Sequence, residues 1–206
     1  MKTIRMVCVI LIASVLFGCV SAKISPEERS TLKRVRIADI VLPEKPVVFS
    51  AGTGVGFVLA GPIGVALANG SSDLPTAYKQ TLAQNKIDVS AIVREELKAQ
   101  LQSKGIEVVE NDHQADAVLG VQVLQYGLTG EVFSGKRFPQ LWATFKLTKR
   151  NGDVIWKNMG AAHGLPDVIK QVEARPIPDY FKDPKFLESQ IKKVTKIVIT
   201  SATSTL

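Results

Sequence analysis

The sequence predicts an α+β fold: a mostly antiparallel sheet with two long helices packed on it, plus a glycine-rich apolar insertion. Two runs, 117–124 and 141–148, alternate apolar with other residues, as strands with distinct faces do. Two other runs, 89–101 and 187–198, repeat apolar residues at helical spacing. A fifth stretch, 47–72, contains no charged residue. The chain of 206 residues is long enough for one domain with a sizeable core.

The N-terminus has the features of a secretory signal. Lys2 and Arg5 give a short positive region, and residues 6–17 form an apolar run of the length that such signals use. The run is too short for a comfortable transmembrane helix, which needs about 20 residues. The sequence Leu16-Phe17-Gly18-Cys19 at its end resembles the lipobox of bacterial lipoproteins. That resemblance implies a signal peptide over 1–18, cleavage before Cys19, and lipid on the cysteine.

Two other fates of the N-terminus are open. The small residues of Val20-Ser21-Ala22 suit ordinary signal cleavage, and the apolar run could also stay as an uncleaved anchor. In lipoproteins of Gram-negative bacteria, Asp after the cysteine favours retention in the inner membrane, so Val20 favours the outer membrane. We therefore expect a lipid-anchored domain on the periplasmic face of the outer membrane. Loss of Cys8 with the signal would leave only Cys19, so no disulfide or cysteine metal site is expected.

Residues 19–34 are predicted to form a lipidated tether, followed by one domain over 35–206. The tether is polar from Lys23 onward. Apolar residues then alternate over 35–42, which predicts the first strand, and two prolines end it. The glycine-rich insertion follows between this strand and the first long helix.

The insertion over 47–72 carries small residues four positions apart. On a helix these residues would share one face and allow a second backbone to approach closely. This glycine-zipper pattern predicts a segment that contacts a membrane or copies of itself. A flexible glycine loop, or a helix packed on its own domain, is the alternative, because glycines and Pro62 disfavour a helix in water. The small residues are Gly52, Gly56, Ala60, Gly64 and Ala68.

Each long helix has a start signal and an apolar stripe. Residues 76–86 are expected to form a short helix before them. Asp88 is placed to cap the first long helix, whose stripe covers 89–101 and which ends at Gly105. Asp183, followed by a proline, is placed to cap the closing helix. We expect both stripes to face the core of the domain.

Alternating runs and turn signals place the remaining strands. One face of the strand over 141–148 is polar apart from Trp142 and is expected to be wet. Asn151-Gly152 predicts a type I′ hairpin turn. The proline-rich stretch 166–181 is expected to be irregular. The predicted strands are 106–109, 117–124, 141–148 and 153–161.

The sequence contains no recognisable set of catalytic residues, and we expect the protein not to be an enzyme. His113 and His163 lie in predicted loops without a second ligand at a recognisable spacing, although Asp112 and Asp116 flank the first. The segment Gly130–Arg137 nearly matches a P-loop. However, it ends in arginine where Ser or Thr would hold Mg²⁺, and it lies between two strands. Neither a metal nor another cofactor is expected.

Two segments resemble a group of bacterial lipoproteins. Asp116–Val123 is similar to the ADAVL strand of that group, and Gly152–Trp156 is similar to the hairpin end that follows it there. The group includes curli-secretion-channel lipoproteins, the Pel-polysaccharide export lipoprotein and the amino-terminal domain of the TolB protein. The likeness extends over about 35–206 without the insertion. It implies a periplasmic α+β domain, often oligomeric, that serves transport or envelope assembly, and it transfers no catalytic residue.

Lipobox and resemblance together predict a non-enzymatic outer-membrane lipoprotein that acts as an envelope assembly or export accessory, as an oligomer built around the glycine segment. The alternative is a monomeric periplasmic binding module that regulates a cell-wall enzyme and docks through 166–181. The expected partners are the membrane through the N-terminal lipid, copies of the chain, and an unidentified envelope protein. The formal net charge is +7, but no dense Lys/Arg cluster with interleaved aromatics occurs, so nucleic acid is not expected.

Overall fold

The helices and strands form an α+β fold in a computed structural model that describes residues 22–48, 74–130, 136–162 and 165–206. The helices are α1 (Pro26–Thr31), α2 (Leu74–Gln84), α3 (Val89–Ser103), α4 (Pro166–Gln171), α5 (Ile177–Lys182) and α6 (Pro184–Thr203). The strands are β1 (Arg34–Ile37), β2 (Val47–Val48), β3 (Glu107–Val108), β4 (Ala117–Thr129), β5 (Lys136–Lys149), β6 (Val154–Ala161) and β7 (Arg175–Pro176).

The strands form one mixed sheet in the order β3-β1-β4-β5-β6, with β2 beside β4 and β7 beside β5. The pairs β1–β3, β1–β4 and β2–β4 are parallel, whereas β4–β5, β5–β6 and β5–β7 are antiparallel. The predicted mostly antiparallel sheet is therefore corrected to a mixed one. The reason is the connection from β1 to β3, which runs through α2 and α3. Such a helical crossover returns the chain in the same direction, so the two strands pair in parallel.

The long hairpin of β4 and β5 forms the centre of the sheet. It is paired from Ala117 opposite Lys149 to Thr129 opposite Phe138, with a β-bulge at Leu124. The bulge changes the alternation, so that Tyr126 beyond it again faces the core. Both strands are longer than the alternating runs predicted, because pairing continues beyond the bulge.

Helix α3 has the ends that the sequence predicted. The Asp88 carboxylate accepts the backbone N–H of the third helical residue at 3.1 Å. At the other end Gly105 has a φ of +72°, and its N–H donates to the Gln102 carbonyl at 2.9 Å. The N–H of Ile106 donates to the Leu101 carbonyl at 3.0 Å, which completes a Schellman motif. Both predicted signals are therefore confirmed.

Helix α6 covers β5 and β6 and packs beside α3. The Asp183 carboxylate caps it by accepting the N–H of Phe186 at 3.0 Å. The helix approaches the sheet closely at Gly160, where a Cβ atom would lie 2.9 Å from Cγ1 of Val198. A side chain at position 160 would therefore push the helix away from the sheet. The predicted stripe is buried at Leu187, Ile191, Val194 and Val198.

The β5–β6 turn differs from the predicted type I′. The N–H of Gly152 donates to the Lys149 carbonyl at 3.0 Å, and the N–H of Lys149 donates to the Asp153 carbonyl at 2.9 Å. Gly152 has a φ of +92°, but among the described non-glycine residues only Lys86 has a positive φ. A type I′ turn needs positive φ at both central residues. The observed turn is a type I turn followed by a left-handed glycine, since Asn151 keeps a negative φ.

The stretch predicted to be irregular, 166–181, instead contains α4, α5 and β7. A proline lies in the first turn of each of its helices, where its missing N–H has no partner to lose. β7 pairs with the first residues of β5. Tyr180 and Phe181 are buried against the remainder of the core. The segment is therefore part of the domain and not a loose loop.

Candidate functional site

The N-terminal segment is fastened to the edge of the sheet. The Ala22 carbonyl accepts a hydrogen bond from the N–H of Lys157 at 3.0 Å, which forms an antiparallel bridge to β6. Cys19, the predicted lipidation site, lies outside the described residues. Three residues of extended chain span at most roughly 10 Å. A lipid on Cys19 would therefore be attached within that distance of the sheet edge.

The segment that follows, predicted as a tether, is packed on the domain. The Ser25 hydroxyl accepts the N–H of Glu28 at 3.2 Å and caps α1. The Glu28 carboxylate pairs with the Lys149 ammonium at 3.0 Å, and Leu32 is buried in the core. The Arg29 guanidinium donates two hydrogen bonds. One goes to the backbone carbonyl of the residue that follows α3, at 2.6 Å, and the other to the backbone carbonyl of residue 206, at 3.3 Å. Residues 22–34 therefore hold one position on the domain.

The elements that flank the glycine insertion contact each other. Val47 and Val48, predicted as its first residues, are the strand β2 and pair with Gly127 and Leu128 of β4. Helix α2, which begins where the insertion ends, contacts β2. Gly127 has a φ of +139°, and a Cβ atom there would lie 2.0 Å from the Val47 carbonyl oxygen. The zipper residues themselves lie outside the described residues: Gly52, Gly56, Ala60, Gly64 and Ala68.

The near P-loop lies at the end of the long hairpin. β4 and β5 pair up to Thr129 and Phe138, so the residues on both sides of the near P-loop belong to antiparallel strands, as predicted; 131–135 lie outside the described residues. The Tyr180 hydroxyl lies 2.7 Å from the Arg137 carbonyl and 2.9 Å from the Glu173 carbonyl, and it can donate to one of them at a time. Burial raises the pKa of Tyr180 above its usual range, so the phenol stays protonated. These contacts join the start of β5 to the 166–181 segment.

The histidine flanked by aspartates does not form part of a cluster. His113 is exposed in a short 3₁₀ turn. Asp112 forms an ion pair with Arg36, and Asp116 accepts the backbone N–H groups of residues 33 and 34 at 3.0 and 2.8 Å. Within the described ranges, no group of three His, Cys, Asp or Glu side chains could hold a metal ion. His163 lies outside those ranges.

Two buried tyrosines were not singled out by the sequence. Tyr78 and Tyr126 line a small cavity of about 10 Å³ between the helix layer and the sheet, with Gln140 and Thr195. That volume is near the minimum that holds one water molecule. Burial is the largest cause that raises the pKa of both phenols. Both are therefore protonated near neutral pH, and neither could act as an anionic nucleophile there.

The face of the sheet opposite the helices carries an exposed apolar row. Trp142 and Leu124 are each 40% exposed, and Trp142 is paired with Gln125, the residue that follows Leu124 at the bulge; Met159 is 55% exposed. Met159 lies opposite Thr144, which places it diagonally beside Trp142. Val41 is 59% exposed and extends the row beyond β4. The alternation in β5 placed Trp142 on this face, but only the strand pairing shows that the four residues form a row.

No helix in the described part of the chain is long and apolar enough to cross a membrane. The glycine insertion from 49 onward is outside that part, so its predicted membrane or self-association role stays a prediction.

Comparisons with known proteins yield weak structural similarities. No family model matches the chain, and no curated protein matches it. A PelC dodecamer from Paraburkholderia phytofirmans is similar at 16% identity and a TM-score of 0.33, covering 81% of this chain and 85% of that one. Lipoprotein GNA1162 from Neisseria meningitidis is similar at 18% identity and a TM-score of 0.27, and the match covers 63% of this chain and 81% of that one. Protein XCC0632 from Xanthomonas campestris is similar at 11% identity and a TM-score of 0.40, and the match covers 88% of this chain and 89% of that one.

These neighbours include a Pel protein and a lipoprotein, classes that the sequence resembled. The similarity is too low to transfer an activity, a partner or an assembly state to this chain. The resemblance to curli-secretion lipoproteins and to TolB stays a prediction, as does the lipobox.

Proposed function

We propose that the protein is a non-enzymatic envelope lipoprotein, held at the periplasmic face of the outer membrane by lipid on Cys19. The observation that carries this proposal is the bridge between Ala22 and Lys157. Because the chain is bound to the domain from Ala22 onward, a lipid on Cys19 would hold the sheet edge close to the bilayer. Such a short connection suits an assembly or export accessory that works at the membrane surface.

Replacement of the two cysteines tests the anchor. Cys19→Ala should release the protein from membranes or leave an uncleaved precursor, because the thiol that takes the lipid is lost. Cys8→Ala is the matched control, since Cys8 lies in the apolar run of the signal and should leave processing unchanged. Membrane fractionation and precursor size give the readout. Equal distribution of wild type and Cys19→Ala between membrane and soluble fractions would contradict the proposal.

The accessory role is proposed to need self-association through the glycine insertion. The contact between β2 and α2 supports this, because an insertion between two elements that contact each other can reach a neighbouring molecule without disturbing the sheet. Gly56→Leu with Gly64→Leu should abolish oligomers by filling the small-residue face. Gly54→Leu with Gly61→Leu adds the same bulk outside the four-residue repeat and should leave them intact. The measurement is the mass of the wild type and of both double variants in detergent. A monomeric wild type would refute self-association through the insertion.

The alternative of a monomeric module that regulates a cell-wall enzyme has less support. Its proposed docking segment, 166–181, is folded into the domain, and Tyr180 and Phe181 there are buried. A partner would therefore meet only the outer residues of that segment.

A further inference from the structure

Two lysines lie side by side next to the exposed apolar row. Lys146 of β5 is directly opposite Lys157 of β6, and both side chains are exposed. Like charges opposite each other on neighbouring strands are destabilising. In the part of the chain that the structure describes, neither lysine has a carboxylate within ion-pair distance. The fold therefore tolerates a repulsive pair that nothing in these ranges neutralises.

The pair and the row share one face of the sheet. Lys146 is two residues from Thr144 along β5, and Lys157 is two residues from Met159 along β6. Side chains two apart on a strand point to the same side, about 7 Å from each other. The face thus combines a tryptophan and other apolar side chains with adjacent uncompensated positive charge.

We propose that this face docks on the anionic lipid head groups of the membrane to which the chain is anchored. The inference rests on the proposed function, since it needs the lipid on Cys19. Tryptophan is enriched where a protein meets the membrane–water interface, and lysines near an anionic surface are attracted to it. The backbone of Lys157 itself binds Ala22, so the anchor starts from the same edge of the sheet.

A second copy of the chain is the less suitable occupant of this face. In a two-fold symmetric pair the same patch meets itself. Two such faces packed together would bring both lysine pairs into one interface, where four positive charges would lose water without gaining a carboxylate. An anionic surface would neutralise the two lysine charges, whereas a second copy would bring two more positive charges into the interface.

The two tryptophans of the chain allow a direct test. Trp142 is 40% exposed, whereas Trp156 is fully buried, so acrylamide quenching of fluorescence reports mainly on Trp142. The full lipidated chain is reconstituted in vesicles of phosphatidylcholine alone or mixed with phosphatidylglycerol, and flotation measures anchoring. We expect Trp142 to be shielded from acrylamide on the anionic vesicles and accessible in detergent. A Trp142→Phe variant supplies the baseline from Trp156.

Charge reversal separates docking from anchoring. Lys146→Glu with Lys157→Glu should lower the ratio of docked to undocked domains by at least about 25-fold, from about fivefold per lysine near an anionic surface. The variant should still float with the vesicles. Lys98→Glu with Lys182→Glu, on exposed sites of the helix layer, is the control and should keep Trp142 shielded.

The remaining outcomes would each overturn the proposal. Flotation with Trp142 as accessible as in detergent would refute docking and leave the lipid anchor intact. Failure of the wild type to float would refute both. Shielding in detergent as strong as on vesicles, with a doubled mass, would assign the face to a second copy of the chain.

Discussion

The approach of β2 to β4 at Gly127 can be measured by adding one methyl group. In Gly127→Ala the new Cβ would lie 2.0 Å from the Val47 carbonyl oxygen, 2.8 Å from its carbonyl carbon and 2.9 Å from its nitrogen. All three are backbone atoms, so no change of rotamer can relieve the clash. β2 would have to move until the distance of 2.0 Å reached the 3.4 Å of ordinary contact. The two-residue pairing between β2 and β4 would not survive that displacement.

The expected loss of stability has two parts. A non-glycine residue at a φ of +139° is strained by about 1–3 kcal/mol. Overpacking in a tight site adds about 1–3 kcal/mol. The reduced entropy of the unfolded chain returns about 0.4–1 kcal/mol. We therefore expect the free energy of unfolding to fall by about 1–6 kcal/mol, and the Tm by roughly 2–20 °C for a chain of this size.

Two other glycines separate strain from clash. Gly152→Ala keeps the strain, with a φ of +92°, but meets no atom within 4 Å, so it should cost about 1–2 kcal/mol. Gly120→Ala has neither backbone strain nor a clash, since its Cβ would make an ordinary contact at 3.7 Å. It should change the free energy of unfolding by less than about 1 kcal/mol. Thermal and urea unfolding followed by circular dichroism give the three values. Equal losses for Gly127→Ala and Gly152→Ala would refute the close approach of β2.

Three further predictions concern the core, a helix cap and the N-terminal segment. Leu97→Asp should unfold the domain, because a carboxylate would enter a fully buried site without a partner, whereas Lys98→Asp should not; equal melts by circular dichroism would mean that position 97 is exposed. Asp88→Ala should lower the free energy of unfolding by about 1 kcal/mol through loss of the helix cap. The Ser90 hydroxyl and backbone N–H groups lower the pKa of Asp88. The stability that the cap contributes is therefore present above the usual aspartate pKa and is lost as the pH falls through the lowered value. A difference in unfolding free energy between wild type and Asp88→Ala that persists in strong acid would contradict this. Arg29→Ala should expose residues 22–34 to protease, because two charge-assisted hydrogen bonds to carbonyls are lost, and unchanged cleavage would show that the segment is held by other contacts.

Local signals were read correctly from the sequence. The caps at Asp88 and Asp183, the end of α3 at Gly105 and the two buried stripes depend on neighbours within a few residues. The alternation in β5 likewise placed Trp142 on the exposed face. These features could be predicted because each is determined by the period or the chemistry of one short segment.

Features that depend on distant partners were not predicted. The parallel pairing of β1 needs the partners 107–108 and 117–119, which no local pattern identifies. The fixed position of residues 22–34 depends on Lys149 and on backbone carbonyls that follow the C-terminal ends of α3 and α6. Within 166–181, the short helices lack enough turns for a periodic signal. The exposed row became visible only when pairing placed Met159 diagonally beside Trp142, and Trp142 opposite the residue that follows Leu124.

The mass of the mature N-terminus decides whether lipid on Cys19 holds the domain at the membrane. The full chain is expressed with its signal, extracted from membranes and analysed by mass spectrometry of the N-terminal peptide. We expect a chain that begins at Cys19 and carries the added mass of lipid on that residue. An unmodified chain that begins at Lys23 would contradict it, because no lipid would then hold the sheet edge at the membrane.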